Sequence, residues 1–300
     1  MTAAVNIVDR LRAKFGLRDD LARCVLCEFV CTAFLMYVGF CANTNYVLLR
    51  QPANQYFAVQ FAWGLALLFA VQMGFGISGS HLNPAVSFFL YSFGHIGMDR
   101  LLLYSAAQFC GAFFGASLSF LTYYDGINSF DGGHRQVYGP NATAGIFATY
   151  PRDYLSVTGA IVDQVACTAI MCICVSLITE KRNGIPKYLQ PFYLSLMLCV
   201  VGMSLANAGT GMNPARDLAP RLFTFFAGYG SEVFSYRNYS WFWIPIVCPM
   251  IGAIVGSWGY QLLIGIHFAD DENEKSLILP ISARTSESSI DEKAFTGIKA

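Results

Sequence analysis

The feature that most limits what this chain can fold into is the lack of charge over long stretches. No Asp, Glu, Lys or Arg occurs between Arg50 and Asp99, between Arg100 and Asp125, between Lys187 and Arg216, or between Arg237 and Asp270. With 55% of its 300 residues apolar and only 13% charged, the chain is poorly suited to a water-soluble domain. Such stretches suit a hydrocarbon core about 30 Å thick. It takes about 20 apolar residues as helix, because each segment must satisfy its own backbone hydrogen bonds there. Six spans follow, over 22–43, 57–76, 101–124, 158–179, 189–208 and 241–267. Two further apolar stretches, 83–92 and 213–227, are too short to cross. Each carries a Pro suited to the first turn of a helix, so each reads as a re-entrant half-helix.

Basic residues set the expected orientation. Arg10, Arg12, Lys14, Arg18 and Arg23 precede the first span, and Lys181, Arg182 and Lys187 lie between the fourth and fifth, so both termini are expected in the cytoplasm. Segments 44–56, 125–157 and 209–240 then face outward, and they hold the sequons Asn141-Ala142-Thr143 and Asn238-Tyr239-Ser240, with Asn141 the better glycosylation candidate. No cleavable leader is expected, since the first twenty residues are charged and only partly apolar. The ten cysteines lie in or beside the spans and read as small packing residues, with no disulfide, metal or cofactor assigned. Zero net charge without a basic patch argues against a nucleic-acid partner. The expected organisation is a cytoplasmic segment 1–20, a membrane domain 21–268, and a polar tail 269–300 that lacks the aromatics to fold and is expected to be disordered.

The membrane domain is internally duplicated. Val30-Cys31-Thr32-Ala33 is echoed by Ala166-Cys167-Thr168-Ala169, Asn83-Pro84-Ala85 by Asn213-Pro214-Ala215, and Gly111-Ala112 with Gly115 by Gly252-Ala253 with Gly256. The landmarks keep their order in a first repeat of about 21–124 and a second of about 158–268, separated by the external loop 125–157. Three spans per half invert the second copy, an arrangement that places function at the midplane where broken helices meet. The spaced glycines read as close helix packing.

Each Asn-Pro-Ala triplet supplies specific chemistry. Asn is a preferred N-cap and Pro fits the first helical position, so each triplet starts a short helix whose free N–H groups and positive dipole end point to the membrane centre. Amides of Asn83 and Asn213 facing a lumen would donate to a passing oxygen, while the same field opposes protons and metal cations. The preceding stretches, Gly79-Ser80-His81 and Gly209-Thr210-Gly211, read as extended backbone offering carbonyls to the lumen.

Two such triplets in an inverted repeat, within Ser78-Gly79-Ser80-His81-Leu82-Asn83-Pro84-Ala85 and Gly211-Met212-Asn213-Pro214-Ala215-Arg216-Asp217, resemble the signature loops of the major intrinsic protein family, the aquaporins and aquaglyceroporins. The resemblance runs from about 20 to 268. It implies an all-α membrane fold of six transmembrane helices plus two re-entrant half-helices in a right-handed bundle, four pores per homotetramer. Asp217, Phe147-Ala148-Thr149-Tyr150-Pro151 and Pro220-Arg221-Leu222-Phe223 are similar to the glycerol-conducting branch. The implied function is passive passage of water, glycerol and other small uncharged solutes through the cell membrane, with ions and protons excluded and no enzymatic step.

By the same resemblance, Arg216, Trp63, Gly202 and Thr210 occupy the four positions of the outer selectivity filter. A fixed guanidinium among apolar walls donates to hydroxyls and repels cations, which independently justifies a buried Arg216. Thr210 departs from the aromatic residue usual there, so a wider, more polar filter would admit larger polyols, urea or undissociated small acids. Glu28 and Gln164 match buried polar residues that hold the two loops, and His81 reads as a loop anchor beside the lumen. A water-selective channel of the same family stays open as an alternative. A proton-coupled carrier, which would need a titratable pair at the midplane, with Glu28 and Asp163 the carboxylates deep enough to supply it, is more remote.

Overall fold

A computed structural model describes residues 6–49, 55–205 and 207–268. Among these, the chain forms helices and turns without strands. The first half holds α1 (Ile7–Phe15), α2 (Asp20–Leu49), α3 (Gln55–Gly74), α4 (Pro84–Ser92), α5 (Met98–Thr122) and α6 (Tyr124–Asp131). The second holds α7 (Val157–Thr179), α8 (Gln190–Ser204), α9 (Pro214–Thr224), α10 (Glu232–Ser235) and α11 (Ile244–Leu263). The expected 269–300 tail lies outside the described residues.

Five helices, α2, α3, α5, α7 and α11, are long and apolar enough to cross a bilayer. The fifth expected span, 189–208, is shorter than its apolar pattern: α8 ends at Ser204, and at 15 residues it rises only about 22 Å. Apolar composition marks what lipid tolerates, not where the backbone stops being helical. The first span is instead longer than its apolar run. The Asp19 carboxylate accepts from Ala22 N at 2.7 Å and starts the helix early, and Asp20 pairs with Arg23 at 2.8 Å and Arg100 at 2.7 Å. The helices α1 and α6 escaped the sequence reading because they are short and polar. The side chain of Asn6 caps α1, and α6 stops at Gly132 with φ 65°.

The half-helices form where expected. Asn83 and Asn213 are N-caps in extended conformation, each followed by Pro at the first helical position. The second was expected over 213–227 but ends at Thr224, where a π-turn takes over through Phe225–Tyr229 with Gly228 at φ 101°.

Duplication is visible in the packing. A Cβ on Gly111 of α5 would stand 2.5 Å from the Phe29 carbonyl oxygen of α2, and one on Gly252 of α11 would stand 2.5 Å from that of Val165 on α7. Only glycine permits backbones to approach so closely at these two crossings. Helix α3 lies against both α2 and α8, and α8 also meets α7. The ten cysteines sit on α2, α5, α7, α8 and α11, all free. The chain divides into two compact units after Gln261. The described part of the second unit, to Phe268, is the end of α11 and a 3-10 turn at Gly265–His267.

Candidate functional site

The two asparagines are tied to each other's loops. Asn83 Nδ2 donates to the Met212 carbonyl at 2.9 Å, and Asn213 Nδ2 donates to the Leu82 carbonyl at 2.8 Å. Each side-chain oxygen meanwhile accepts from its own helix, Asn83 from Ala85 N at 2.9 Å and Asn213 from Ala215 N at 3.0 Å and Arg216 N at 3.2 Å. One amide thus caps its own helix and pins the turn before the other. The two helix N-termini, with their positive dipole ends, meet at this point. Ala85 and Ala215 are fully buried in the packing behind the asparagines.

The loops before the asparagines differ from expectation. They are not extended but turn through left-handed backbone at Gly79 (φ 85°), Ser80 (φ 52°), Leu82 (φ 54°), Gly209 (φ 84°) and Met212 (φ 46°). Left-handed backbone at the non-glycine residues Leu82 and Met212 is strained. It turns their carbonyls toward the opposite asparagine. Glu28 holds the first loop: one carboxylate oxygen accepts from Ser78 Oγ at 2.6 Å and His81 N at 2.9 Å, the other from Leu82 N at 2.8 Å and Gln108 Nε2 at 2.8 Å. His81 Nδ1 lies 3.0 Å from Ser87 Oγ, and the ring packs edge-on to Tyr104. The second loop is held differently. Gln164 Nε2 donates to the Gly209 carbonyl at 2.8 Å, while the neighbouring Asp163 accepts from Ala208 N at 3.1 Å. Two residues thus share there what Glu28 does alone in the first half.

A cavity of about 400 Å³ runs past both asparagines. Its lining takes in Gly79, Ser80, His81, Thr210 and Gly211 from the loops, with Trp63 and Arg216 toward one end and His95, Thr179 and Gln190 toward the other. Val71, Val86, Leu90, Met171, Val175 and Met197 make much of the wall between apolar. Gly209 does not line it; the position a Cβ would take there points at Thr149.

At the Arg216 end, the guanidinium donates through Nη1 to the Phe147 carbonyl at 2.7 Å and lies over the rings of Phe40 and Trp63, 5.1 Å from each. Trp63 is fixed in turn: its Nε1 donates to Asn43 Oδ1 at 3.0 Å, and Asn43 Nδ2 donates to the Ile146 carbonyl at 2.8 Å. The hydroxyl of Thr210 has no hydrogen-bond partner among the described residues. Gly202 does not border the cavity; the space a Cβ would take is filled by the side chain of Gln60. Asp217 is fully buried away from the lumen. It pairs with Arg221 at 2.7 Å and accepts from Thr149 N at 2.8 Å and Thr149 Oγ1 at 2.5 Å, while Arg221 donates to the carbonyls of Thr149 and Val233. These contacts fasten the loop before α7 to the second half-helix.

Sequence reasoning missed Phe40, Asn43, Gln60 and Gln108. Asn43, Gln60 and Gln108 gave a usable signal, polar side chains inside apolar spans, whereas Phe40 is one aromatic residue among many. Asn141 lies in the turn before the 3-10 segment Ala144–Ile146, in the loop between α6 and α7.

A bundle of apolar helices in which two half-helices meet at their N-termini beside a lined cavity is the architecture of a membrane pore. The chain belongs to the major intrinsic protein family, whose pattern it matches over residues 18–260. It is 42% identical to aquaporin-9 of Mus musculus over 274 residues, 91% of each chain. It is also 38% identical to human aquaporin-10, covering 88% of this chain and 87% of that one. Among solved structures it is similar to the aquaglyceroporin from Plasmodium falciparum, with a TM-score of 0.73 and 26% identity over 81% of this chain and 97% of the other.

Proposed function

We propose that this protein is a passive channel for water, glycerol and other small uncharged solutes. The observation that carries the reading is the reciprocal tie of Asn83 and Asn213 on the cavity wall. It sets two amides and two positive helix ends at one point of a path whose wall is largely apolar, which favours neutral oxygen-bearing solutes and opposes cations. Glycerol conduction is further supported by family relatives that include an aquaglyceroporin. At the Arg216 end, the Trp63 ring offers a surface for a carbon backbone while Arg216 and Thr210 offer groups to its hydroxyls. No chemical step is part of this function.

The finer reading places the Arg216 end outward, both termini in the cytoplasm and the protein in the cell membrane as a homotetramer. In it, Trp63, Thr210 and Arg216 form the selectivity filter, with Gly202 acting behind the wall.

Stopped-flow light scattering on proteoliposomes tests the function. Fast shrinkage in an impermeant osmolyte and fast, non-saturating re-swelling in glycerol are expected, with an altered ratio of the two in Arg216→Ala. Shrinkage without re-swelling would reduce the protein to a water channel, and saturable re-swelling would replace the pore by a carrier.

A further inference from the structure

Gln60 stands on α3 one turn before Trp63, about 4.5 Å further along the helix axis from the asparagines. The residue is only 6% exposed, but it lines the cavity, and its side-chain amide, without a hydrogen-bond partner among the described residues, is not enclosed by protein. An amide that opens on a lumen with no protein partner is free to hydrogen-bond whatever occupies that lumen. The surroundings hold this one in place. Its amide and Cγ occupy the space beside Gly202 that a Cβ would claim, and the Gly202 carbonyl accepts from Tyr56 Oη at 2.7 Å, which fixes α8 against α3 at this level. Cys199 Sγ closes the same contact on the Gln60 carbonyl at 3.6 Å.

The Arg216 end offers a solute few acceptors, the Thr210 hydroxyl being one. Arg216 has donors and no acceptor, and Trp63 has its only donor on Asn43. A solute hydroxyl that accepts from Arg216 still has a proton to place. Losing that hydrogen bond to water without replacement would raise the barrier to entry. We infer that Gln60 is a solute-binding station of the pore, whose amide accepts from and donates to the hydroxyls of a polyol held against Arg216 and Trp63. In this arrangement Gly202 acts through Gln60: the missing Cβ keeps the amide against α8, out of the path, and open to the passing solute.

This inference rests on the proposed glycerol conduction and is tested alongside it in proteoliposomes, with water, glycerol and a four-carbon polyol. Gln60→Leu, of similar volume but apolar, should lower glycerol permeability relative to water permeability by about twofold to tenfold, the value of one lost hydrogen bond, and lower the four-carbon polyol further. Gly202→Ala should push the amide into the path and slow glycerol, and the same change should cost less in a Gln60→Ala background, where nothing is displaced. An unchanged glycerol-to-water ratio in Gln60→Leu overturns the assignment. Equal loss of both fluxes also overturns it, because Gln60 would then only pack α3 against α8. Gln60→Met, unbranched, stands in if leucine prevents insertion. A wild-type channel that passes water but no glycerol sinks the functional reading and this inference together, whereas a conducting wild type with an indifferent Gln60 sinks this inference alone.

Discussion

Single residues in this protein act mainly by satisfying backbone that would otherwise be stranded in an apolar medium. Glu28 is the strongest case, since both its oxygens accept two hydrogen bonds and one of them holds Leu82 in left-handed backbone. Glu28→Gln turns one acceptor into a donor facing N–H groups, and should destabilise the detergent-solubilised protein by about 2–4 kcal/mol, read as a lowered unfolding midpoint. An unshifted midpoint would mean the loop holds itself. Thr210 offers a hydroxyl where a larger side chain would narrow the cavity. Thr210→Phe should therefore reduce the flux of larger polyols more than that of glycerol, and an unchanged flux ratio would remove Thr210 from the filter. Asp217 marked the glycerol branch in the sequence, yet its contacts are with Arg221 and Thr149 and not with the lumen. Asp217→Asn leaves a buried Arg221 short of its counter-charge, at a cost of about 3–5 kcal/mol. It should expose the loop between α6 and α7 to protease, a change that limited proteolysis would detect.

At the level of elements, the decisive features are close crossings and short helices aimed at one point. Two glycines on α11 separate close approach from mere helix composition. Gly252 meets the backbone of α7, while a Cβ on Gly259 would meet nothing within 4 Å. Gly259→Ala should be neutral or stabilise by up to about 1 kcal/mol through helix propensity, whereas Gly252→Leu should prevent recovery of folded protein. Size-exclusion profiles of the two variants give the comparison, and equal behaviour would refute the crossing. The half-helices α4 and α9 are too short to be stable alone. They persist because each N-cap asparagine is also bonded to the other half, so the two repeats lock one another.

For the whole molecule, the inverted duplication supplies two half-helices, and their meeting supplies a pore without any charged group at its centre. Voltage-clamped bilayers holding the protein should show no current for sodium, potassium or protons while light scattering reports water flux. A measurable cation current would contradict the field assigned to the paired helix ends. Native mass measurement in mild detergent should give four times 33.0 kDa, and a monomer that still conducts would show that assembly is not needed for the pore.

Much of this was legible in the sequence. Charge-free stretches mark lipid-facing segments because an unpaired charge in hydrocarbon is costly, and the paired Asn-Pro-Ala triplets mark helix starts because capping is a local interaction. Most of the long helices and both half-helices follow from those two rules, and the meeting of Asn83 with Asn213 follows from the inverted duplication. What stayed hidden depends on which groups lie opposite one another across the fold. Nothing in the order of residues says that Gln60 fills the space at Gly202, that Asn43 fixes Trp63, or that Asp163 shares with Gln164 the task Glu28 performs alone. Nor does it say that the loops turn left-handed where an extended path was expected. Local propensity and hydropathy are written along the chain, but the partner of a buried polar atom is chosen by tertiary packing. In a membrane, where water offers no substitute, that choice decides which side chain becomes structure and which is left free for a solute.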